Sequence, residues 1–370
     1  MKRILFLIHD LMGGGAEKVL VNLVNNLDYS KFDVTVMSLF DVGVNKTNLR
    51  KEVHYKYVYK KVFRGNQHFM KLFTPEQLHK WFIKEKYDIE IAYLEGPCAR
   101  IISGCNEKNT KKVSWIHIEQ HTTQRAIRAF RNENEAEMCY NSFNRIVCVS
   151  RTVKDDFNSL LRIEVPIDVL YNTNESEKIL ALSKQSVNDI TFSANECKII
   201  GVGKLLKSKG FDKLIRIINR LISLNYPIHL YLLGIGELED ELKKYITSNH
   251  IEKYVDLLGY KENPYKYIKN CDLFVCSSLR EGFSTAATEA LIVGTPVCTV
   301  EVSGMKEMLG ENNEYGIVTE NSEESLYEGI KRLLDNPELL AHYKKQAEIR
   351  GKYFSTENTV RAVEDMLLSL

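Results

Sequence analysis

The sequence predicts an α/β protein of two domains, each built on a parallel sheet covered by helices. Short apolar runs alternate with amphipathic stretches along the whole chain, which is typical of parallel strands joined by crossover helices. The chain of 370 residues also exceeds the length that a single hydrophobic core usually serves. We expect a first domain over residues 1–172 and a second over 173–354. A terminal helix over about 355–370 is expected to pack back on the first domain.

Each half of the chain contains its own set of predicted strands. In the first half they cover 3–8, 34–40, 88–94, 112–118 and 145–149. In the second half they cover 198–202, 228–233, 255–258, 272–276 and 296–300. Helical spacing of apolar residues predicts helices near 19–27, 213–224, 238–247, 285–293 and 337–353. The polar stretch 172–196 is expected to connect the two halves.

Composition and charge argue against several classes of protein. The 50 basic and 49 acidic residues nearly cancel, whereas a protein that binds nucleic acid with its whole surface is strongly basic. No apolar run approaches the roughly 18 residues that a membrane span needs. The apolar residues after Met1 stop at His9 without a cleavage site, so they predict a strand rather than a signal peptide. We therefore expect a cytoplasmic protein.

The eight cysteines do not have the spacing of a metal site. They include no CxxC pair and no histidines at zinc-ligand spacing. Several lie inside apolar runs, such as Cys148 and Cys276, which indicates buried, reduced thiols. The sequence therefore predicts no bound metal.

Three glycines follow the first predicted strand. Gly13, Gly14 and Gly15 lack Cβ atoms, so backbone N–H groups at the start of the next helix could approach a phosphate or a sugar. Their spacing differs from GxGxxG, which argues against a nicotinamide dinucleotide. A tight strand–helix turn is the structural alternative for this loop.

The most informative segment is EGFSTAATEALIVGTPV, which begins at Glu281, after the strand predicted at 272–276. Open α/β sheets bind ligands at the carboxyl ends of their strands, where Glu281 would lie. Glu289 would lie about one turn into a helix, where its carboxylate could accept both hydroxyls of a ribose. The backbone N–H groups that would face a diphosphate or a sugar belong to Gly282, Phe283, Ser284 and Thr285. Taken singly, the two glutamates could equally be a loop charge and a helix-surface acid.

Two lysines follow the strand predicted at 198–202. Lys204 and Lys209 would present cations at the same end of the sheet as Glu281. Fixed cations stabilise the negative charge that grows on a departing diphosphate. Two ordinary surface lysines are the alternative.

In this order and spacing, the motifs resemble the signature of retaining glycosyltransferases with the GT-B fold, in particular glycosyltransferase family 4. The E-x7-E element from Glu281 to Glu289 carries the resemblance, and weaker matches extend over nearly the whole chain. These matches are Gly14-Gly15-Ala16-Glu17, Val149-Ser150, Tyr171-Asn172, Val202-Gly203-Lys204-Leu205, Lys209-Gly210, Leu233-Gly234-Ile235-Gly236, Leu258-Gly259-Tyr260 and Asn263-Pro264. Family members usually carry arginine at the position of Lys204, and lysine keeps the charge without the planar bidentate fork.

The resemblance implies two facing Rossmann-like domains with a cleft between them, the first for the acceptor and the second for the donor. It implies that a hexosyl-type group moves, with retention, from a nucleotide-diphosphate sugar, expected to be UDP-linked, to a glycan or lipid-linked acceptor in surface polysaccharide assembly. It also implies that neither a metal ion nor another cofactor is needed. The alternatives are a nucleotide-sugar-binding protein without activity and, less favoured, a dinucleotide-dependent oxidoreductase.

The resemblance also implies a role for each candidate residue. Lys204 and Lys209 would stabilise the leaving group, Glu281 would orient the transferred sugar, and Glu289 would hold the ribose. Gly14 and Gly15 would leave room for the diphosphate.

His117 closes the strand predicted at 112–118 and is the remaining catalytic candidate. Family members often carry a histidine there that contacts the transferred sugar or the acceptor, so the resemblance implies this role. A lone histidine on an apolar strand can equally be a core residue whose hydrogen bonds are satisfied. Glu119, Gln120 and His121 extend into the following loop and could line the acceptor side.

The stretch 55–72 interleaves basic residues with aromatic ones and contains no acidic residue. Its cations are Lys56, Lys60, Lys61, Arg64 and Lys71. Such a pattern suits an anionic membrane surface or a lipid-diphosphate acceptor, and it would also suit single-stranded nucleic acid. We expect reversible contact with the inner face of the cell membrane here, and no nucleic-acid partner. An ordinary solvated strand or loop is the alternative.

Overall fold

The computed structural model describes residues 1–63, 65–193 and 195–370, so Arg64 of the basic stretch lies outside the described residues. The described chain divides into two compact units. The first contains Met1–Thr173 together with Thr356–Leu370, and the second contains Asn174–Ser355.

The first unit is built on a parallel sheet. Its strands within the described residues are β1 (Lys2–Ile8), β2 (Phe32–Phe40), β3 (His54–Tyr59), β4 (Ile89–Ala92), β5 (Lys111–Ile116), β6 (Arg145–Cys148) and β7 (Ile167–Val169). They lie in the order β3-β2-β1-β4-β5-β6-β7. The central strand β1 is apolar and fully buried from Ile4 to Ile8, because helices cover both faces of such a sheet.

Helices fill the connections of the first unit. They are α1 (Gly15–Asn26), α2 (Asn66–Lys71), α3 (Pro75–Phe82), α4 (Pro97–Ser103), α5 (Thr123–Ala126), α6 (Glu133–Asn141) and α7 (Arg151–Leu160). Local sequence starts several of them. Thr74 and Gln77 form a capping box at α3, and Ser150 caps α7 through the amide of Val153.

The second unit repeats the same architecture. Its sheet, within the described residues, has the order β10-β9-β8-β11-β12-β13. The strands are β8 (Cys197–Val202), β9 (Ile228–Leu233), β10 (Val255–Gly259), β11 (Leu273–Cys276), β12 (Val297–Val300) and β13 (Ile317–Thr319). The helices are α8 (Ser176–Ser183), α9 (Phe211–Ser223), α10 (Glu239–Ser248), α11 (Tyr265–Asn270), α12 (Thr285–Ile292), α13 (Met305–Leu309), α14 (Glu323–Asp335) and α15 (Pro337–Tyr353).

The chain ends with α16 (Thr356–Leu368), which returns to the first unit. The Glu364 carboxylate accepts a hydrogen bond from the Asp28 backbone amide at 2.7 Å and lies 3.1 Å from Lys31 Nζ. Leu367 is fully buried. Among the described residues, every helix is too short or too polar to span a bilayer.

The fold confirms two Rossmann-like domains with parallel sheets. Three strands were not predicted from the sequence, namely β3, β7 and β13, and each lies at the edge of its sheet. Edge strands are only partly covered, so they lack the continuous apolar run that marks a central parallel strand. Every residue of β3 is at least partly exposed.

Both sheets have a topological switch point, where strand order reverses and the connecting helices leave to opposite faces. In the first unit this point lies between β1 and β4, and in the second between β8 and β11. Open α/β sheets bind ligands in the crevice outside such a point. The loops that follow these two pairs of strands are therefore where a ligand is expected.

Candidate functional site

The switch point of the second unit brings together the loops that follow β8 and β11. The two strands pair directly, with Leu273 opposite Ile199 and Phe274 opposite Ile200. The first loop carries Lys209 and the second carries Glu281. Residues 72 positions apart are thus neighbours because of the strand order.

Hydrogen bonds fasten these two loops to each other. The Leu279 amide donates to the Ser208 carbonyl at 2.8 Å, and the Ser277 hydroxyl donates to the Lys209 carbonyl at 2.9 Å. Gly210 has a φ of +64°, and a Cβ atom on it would lie 2.2 Å from the Ser277 carbonyl oxygen. Only glycine fits here without strain, so the sequence Lys209-Gly210 allows the close approach.

Lys209 and Glu281 form an ion pair at the centre of these loops. Lys209 Nζ lies 2.6 Å from Glu281 Oε1, and the Ser278 hydroxyl donates to the same oxygen at 2.7 Å. Burial disfavours the charged lysine, but the Glu281 carboxylate outweighs burial and raises the pKa of Lys209. Lys209 is therefore a fixed cation at neutral pH, held in place by a carboxylate.

Lys204 is in a different environment from Lys209. Its side chain is exposed and makes no ion pair with any residue that the structure describes. The backbone around it is nevertheless fixed, because the Gly203 amide donates to Leu233 and the Leu205 amide to Ile235. Lys204 thus lies on a loop held by backbone hydrogen bonds, its ammonium group is exposed, and the structure does not pair it with Lys209 or Glu281.

Helix α12 begins at Thr285, four residues after Glu281. The Ser284 hydroxyl caps the helix by accepting the amide of Ala287, while the earlier amides of the first turn have no intrahelical acceptor. Glu289 lies one turn further on and is only 3% exposed, so the solvated helix-surface alternative is wrong. The buried Ala287 and Ala290 let the helix approach the sheet closely.

Phe283 has a structural role within this loop. Its ring packs edge-on against Phe354 with a centroid distance of 5.6 Å. It is buried, so only its backbone could face a ligand. The ring fixes the loop that carries Gly282 and Ser284.

In the first unit, the three-glycine loop follows β1 at that unit's switch point. Gly14 is the N-cap of α1 and makes no side-chain capping bond. A Cβ atom on Gly14 would lie 2.0 Å from Glu17 Oε2, whereas one on Gly15 would meet nothing within 4 Å. The Glu17 carboxylate therefore occupies the space beside Gly14, and the space beside Gly15 is open.

His117 follows β5 and is largely enclosed by the protein. Its Nε2 atom is buried and has no hydrogen-bond partner among the described residues, and its ring lies 4.8 Å from that of Tyr93. Burial lowers the pKa of His117 to about 3, although a hydrogen bond to the Tyr93 backbone opposes this. His117 is therefore neutral at physiological pH, and its Nε2 atom is not satisfied as a core histidine's would be.

Comparison with known proteins agrees with this architecture. A model of the family described as Glycosyltransferase Family 4 matches residues 13–175, and one described as Glycosyl transferases group 1 matches residues 184–350. The crystal structure of Anabaena HepE in complex with UDP aligns over 100% of both chains, with a TM-score of 0.78 at 21% identity. The chain is a family 4-like glycosyltransferase with the GT-B fold.

Two curated relatives of this glycosyltransferase have described activities. One is the N-acetylgalactosamine-N,N'-diacetylbacillosaminyl-diphospho-undecaprenol 4-alpha-N-acetylgalactosaminyltransferase of Campylobacter jejuni, 35% identical over 54% of this chain and 53% of that protein. The other is the poly(ribitol-phosphate) alpha-N-acetylglucosaminyltransferase of Staphylococcus aureus, 25% identical over 68% of this chain and 50% of that protein. The chain therefore spans about half the length of both relatives.

The glycosyltransferase contains two further carboxylates that the sequence analysis did not select. Glu95 follows β4 and accepts the His117 amide at 3.0 Å and the Gln120 side-chain amide at 3.3 Å. Asp156 accepts the backbone amides of Gln120 and His121 at 2.6 and 3.1 Å. Together they fix the loop after β5. Glu95 could have been found from the sequence, because it directly follows the strand predicted at 88–94.

The side chains that could share a metal ion belong to the first unit. Among the described residues, two groups of side chains have ligand atoms close enough to share an ion: His79 with Glu90 and Cys105, and Glu119 with His121 and Asp156. His79 Nε2 already lies 2.7 Å from Glu90 Oε2. Neither group includes Glu281 or Glu289.

Proposed function

We propose that this glycosyltransferase moves a sugar, with retention, from a UDP-sugar to a lipid-linked or glycan acceptor during surface polysaccharide assembly. The observation that carries the proposal is the Lys209–Glu281 pair at the switch point of the second unit, next to the start of α12. The pair supplies a fixed cation, and the helix supplies first-turn amides. Both favour a diphosphate.

The proposed role of Lys209 follows from the charge that develops during transfer. When the bond between the sugar carbon and the phosphate oxygen breaks, the departing UDP keeps the electron pair and gains negative charge. A cation already held in place stabilises this charge without reorganising. Because Glu281 and Ser278 fix the position of Lys209, no metal ion is required in this proposal.

Glu281 and Glu289 have separate roles in the proposal. Glu281 lies in the loop, where it positions Lys209 and orients the transferred sugar. Glu289 is a buried residue of α12, and it holds the ribose hydroxyls of the donor. His117 and the loop fixed by Glu95 and Asp156 belong to the first unit, which we assign to the acceptor.

The names of the relatives support the choice of donor and acceptor. HepE was crystallised with UDP. The Campylobacter relative is named for transfer of an alpha-linked N-acetylhexosamine to a diphospho-undecaprenol-linked sugar. The Staphylococcus relative is also named for an alpha-linked product, on a polymer that contains phosphate. Alpha-linked products from ordinary UDP-α-sugars would require retention.

The first experiment is a thermal-unfolding panel with UDP, GDP, ADP and NAD, followed by UDP-hexoses and UDP-N-acetylhexosamines. A ligand at about a hundredfold its dissociation constant adds roughly 2.7 kcal/mol of stability. We expect UDP and one UDP-sugar to stabilise the protein, and NAD to have no effect. Stabilisation by NAD alone would favour the oxidoreductase.

A second experiment separates catalysis from binding. Slow hydrolysis of the selected UDP-sugar without acceptor should be detectable, and proton NMR of the first-formed sugar should show the same anomeric configuration as the donor. Binding without any turnover would favour the non-catalytic alternative. An inverted product would contradict retention.

A further inference from the structure

Four large apolar side chains are exposed in one region of the first unit, on and around α2 and α3. They are Val62 at 50%, Phe69 at 44%, Leu72 at 72% and Trp81 at 45% exposure. We call these four residues the α2–α3 patch. Scattered single apolar residues are normal on protein surfaces, whereas contiguous apolar patches usually mark an interaction site.

A chain of aromatic contacts connects two of these exposed residues, Phe69 and Trp81, while Val62 and Leu72 adjoin members of the chain in sequence. Phe63 packs edge-on against Phe69 at 6.0 Å, Phe69 against Phe73 at 5.2 Å, and Phe73 against Trp81 at 4.7 Å. Phe63 and Phe73 are half-buried and link the exposed rings to the domain. The exposed rings of Phe69 and Trp81 therefore pack against Phe73, which is itself half-buried.

Two arginines hold the end of α2 in this position. Arg100 is buried and donates to the carbonyls of Met70 and Phe73 at 2.9 and 2.7 Å. Arg131 donates to the carbonyls of Lys71 and Leu72 at 2.8 and 3.3 Å. These contacts tie the end of α2 and the residues that follow it to the rest of the unit. The exposure of Leu72 is thus built into the fold.

The charged residues around the patch are mostly basic, with Glu76 on α3 as an exposed acidic exception. The exposed cations are Lys60, Lys61, Lys80 and Arg131, with Lys71 half-buried among them. No acidic residue occurs between Glu52 and Glu76 in the sequence. Lys56, which was also expected to take part, instead forms an ion pair with Glu85 on the solvent side of β3. Among the described residues of the basic stretch, the cations near the patch are therefore Lys60, Lys61 and Lys71.

We infer that the α2–α3 patch docks the protein on the surface of an anionic lipid bilayer. Tryptophan, phenylalanine and leucine insert into the interfacial region of a bilayer, and surrounding lysines and arginines interact with anionic headgroups. Charge complementarity favours this occupant, because cations outnumber acidic residues around the patch and the headgroups of such a bilayer are negatively charged. The inference rests on these side chains alone and is independent of the donor proposed above.

The test is sedimentation of the full-length protein with vesicles of phosphatidylcholine, with and without phosphatidylglycerol. We expect binding only when phosphatidylglycerol is present, and we expect it to weaken as salt rises, because ions screen the headgroup charge. No binding to anionic vesicles in low salt would overturn the inference.

Matched variants locate the contact. Leu72→Asp should weaken binding about tenfold or more, because it replaces an inserted side chain by a charge of the wrong sign. Leu224→Asp is its control, since Leu224 is also the C-cap of a helix and is 52% exposed, but in the second unit. The double variant Lys60→Glu with Lys61→Glu should abolish binding, whereas Lys344→Glu with Lys345→Glu should not.

Fluorescence gives an independent readout. The protein has two tryptophans, and Trp115 is buried in the first unit while Trp81 is exposed. Brominated lipids should quench Trp81 and leave Trp115 unaffected, and Trp81→Phe should remove the quenching. Binding without quenching would show that another surface is used. A change in oligomeric state in Leu72→Asp, measured without lipid, would instead assign the patch to a second copy of the chain.

Leu72→Asp should leave UDP binding unchanged, because no residue of the patch belongs to the second unit. Loss of membrane binding with intact UDP binding would therefore separate this inference from the proposed function. Loss of both membrane binding and UDP binding would mean that Leu72→Asp is misfolded. The milder variant Leu72→Ala would then be used, because it should fold normally and weaken membrane binding to a smaller extent.

Discussion

At the scale of single residues, the position of Lys209 depends on one carboxylate and one hydroxyl. Glu281 and Ser278 share the oxygen that contacts Lys209 Nζ. The sequence predicted that Lys209 and Glu281 would lie at one end of a sheet, but not that they would contact each other. The pair forms because β8 and β11 are adjacent in the sheet, and strand order cannot be read from local sequence.

We predict that Lys209→Ala lowers kcat by about two to three orders of magnitude, the usual effect of removing one fixed stabiliser of developing charge. Lys204→Arg is the control, and it should be tolerated because it keeps the charge of an exposed side chain. Steady-state kinetics with the UDP-sugar selected above measure both variants. Unchanged turnover in Lys209→Ala would remove this lysine from the mechanism.

His79 makes the stability of the first unit depend on pH. Burial disfavours its charged form, but hydrogen bonds to Cys105 and Glu90 outweigh burial and raise the pKa of His79 to about 9. A raised pKa means that the folded state holds a proton that the unfolded state releases near pH 6.5. The stabilisation is complete below pH 6.5 and is lost as pH rises towards 9.

We predict that the free energy of unfolding falls by up to about 1.4 kcal/mol per pH unit between pH 6.5 and 9 because of this one group. His79→Gln should flatten that part of the profile, as measured by urea denaturation. His342→Gln is the control, because His342 is exposed, and it should leave the slope unchanged. An unaltered slope in His79→Gln would contradict the assignment.

At the scale of elements, the site depends on loops whose glycines permit close contacts. Gly210 has a left-handed conformation between the 3₁₀ turn Lys207–Lys209 and α9, and it touches the loop after β11. The sequence identified this Lys209-Gly210 element only as part of a resemblance. A Cβ atom at Gly210 would lie 2.2 Å from the Ser277 carbonyl oxygen. This contact can be recognised only once the loop after β11 is placed beside Gly210.

We predict that Gly210→Ala costs more stability than Gly259→Ala, although the two glycines have nearly the same φ of +64° and +67°. Both variants incur the strain of a left-handed alanine, roughly 1–2 kcal/mol. A Cβ atom on Gly259 would meet nothing within 4 Å, so only Gly210→Ala also pushes the two loops apart. Chemical denaturation should show the difference, and Gly210→Ala alone should reduce turnover. Equal effects on both would mean that the loop contact is unimportant.

At the scale of the whole molecule, the sequence predicted the two-domain α/β architecture and the central strands of both sheets. It did not predict the edge strands β3, β7 and β13, because partial exposure removes their apolar pattern. It selected Glu289 correctly as a helical residue but could not show its burial, which depends on the packing of α12 against its own unit. It also could not select Asp156, whose role comes from a loop 36 positions away.

The central claim is that the second unit binds the donor nucleotide next to Glu281 and α12, with Glu289 on the ribose. A calorimetric titration of UDP into the wild-type protein and into Glu289→Ala tests it most directly. Hydrogen bonds to a charged group contribute about 1.5–3 kcal/mol each, so the account predicts that Glu289→Ala binds UDP at least about tenfold more weakly. Glu364→Ala is the matched control, because it removes a buried helical glutamate from the first unit and should keep wild-type affinity. Equal affinity for UDP in the wild type and in a folded Glu289→Ala protein would contradict the account.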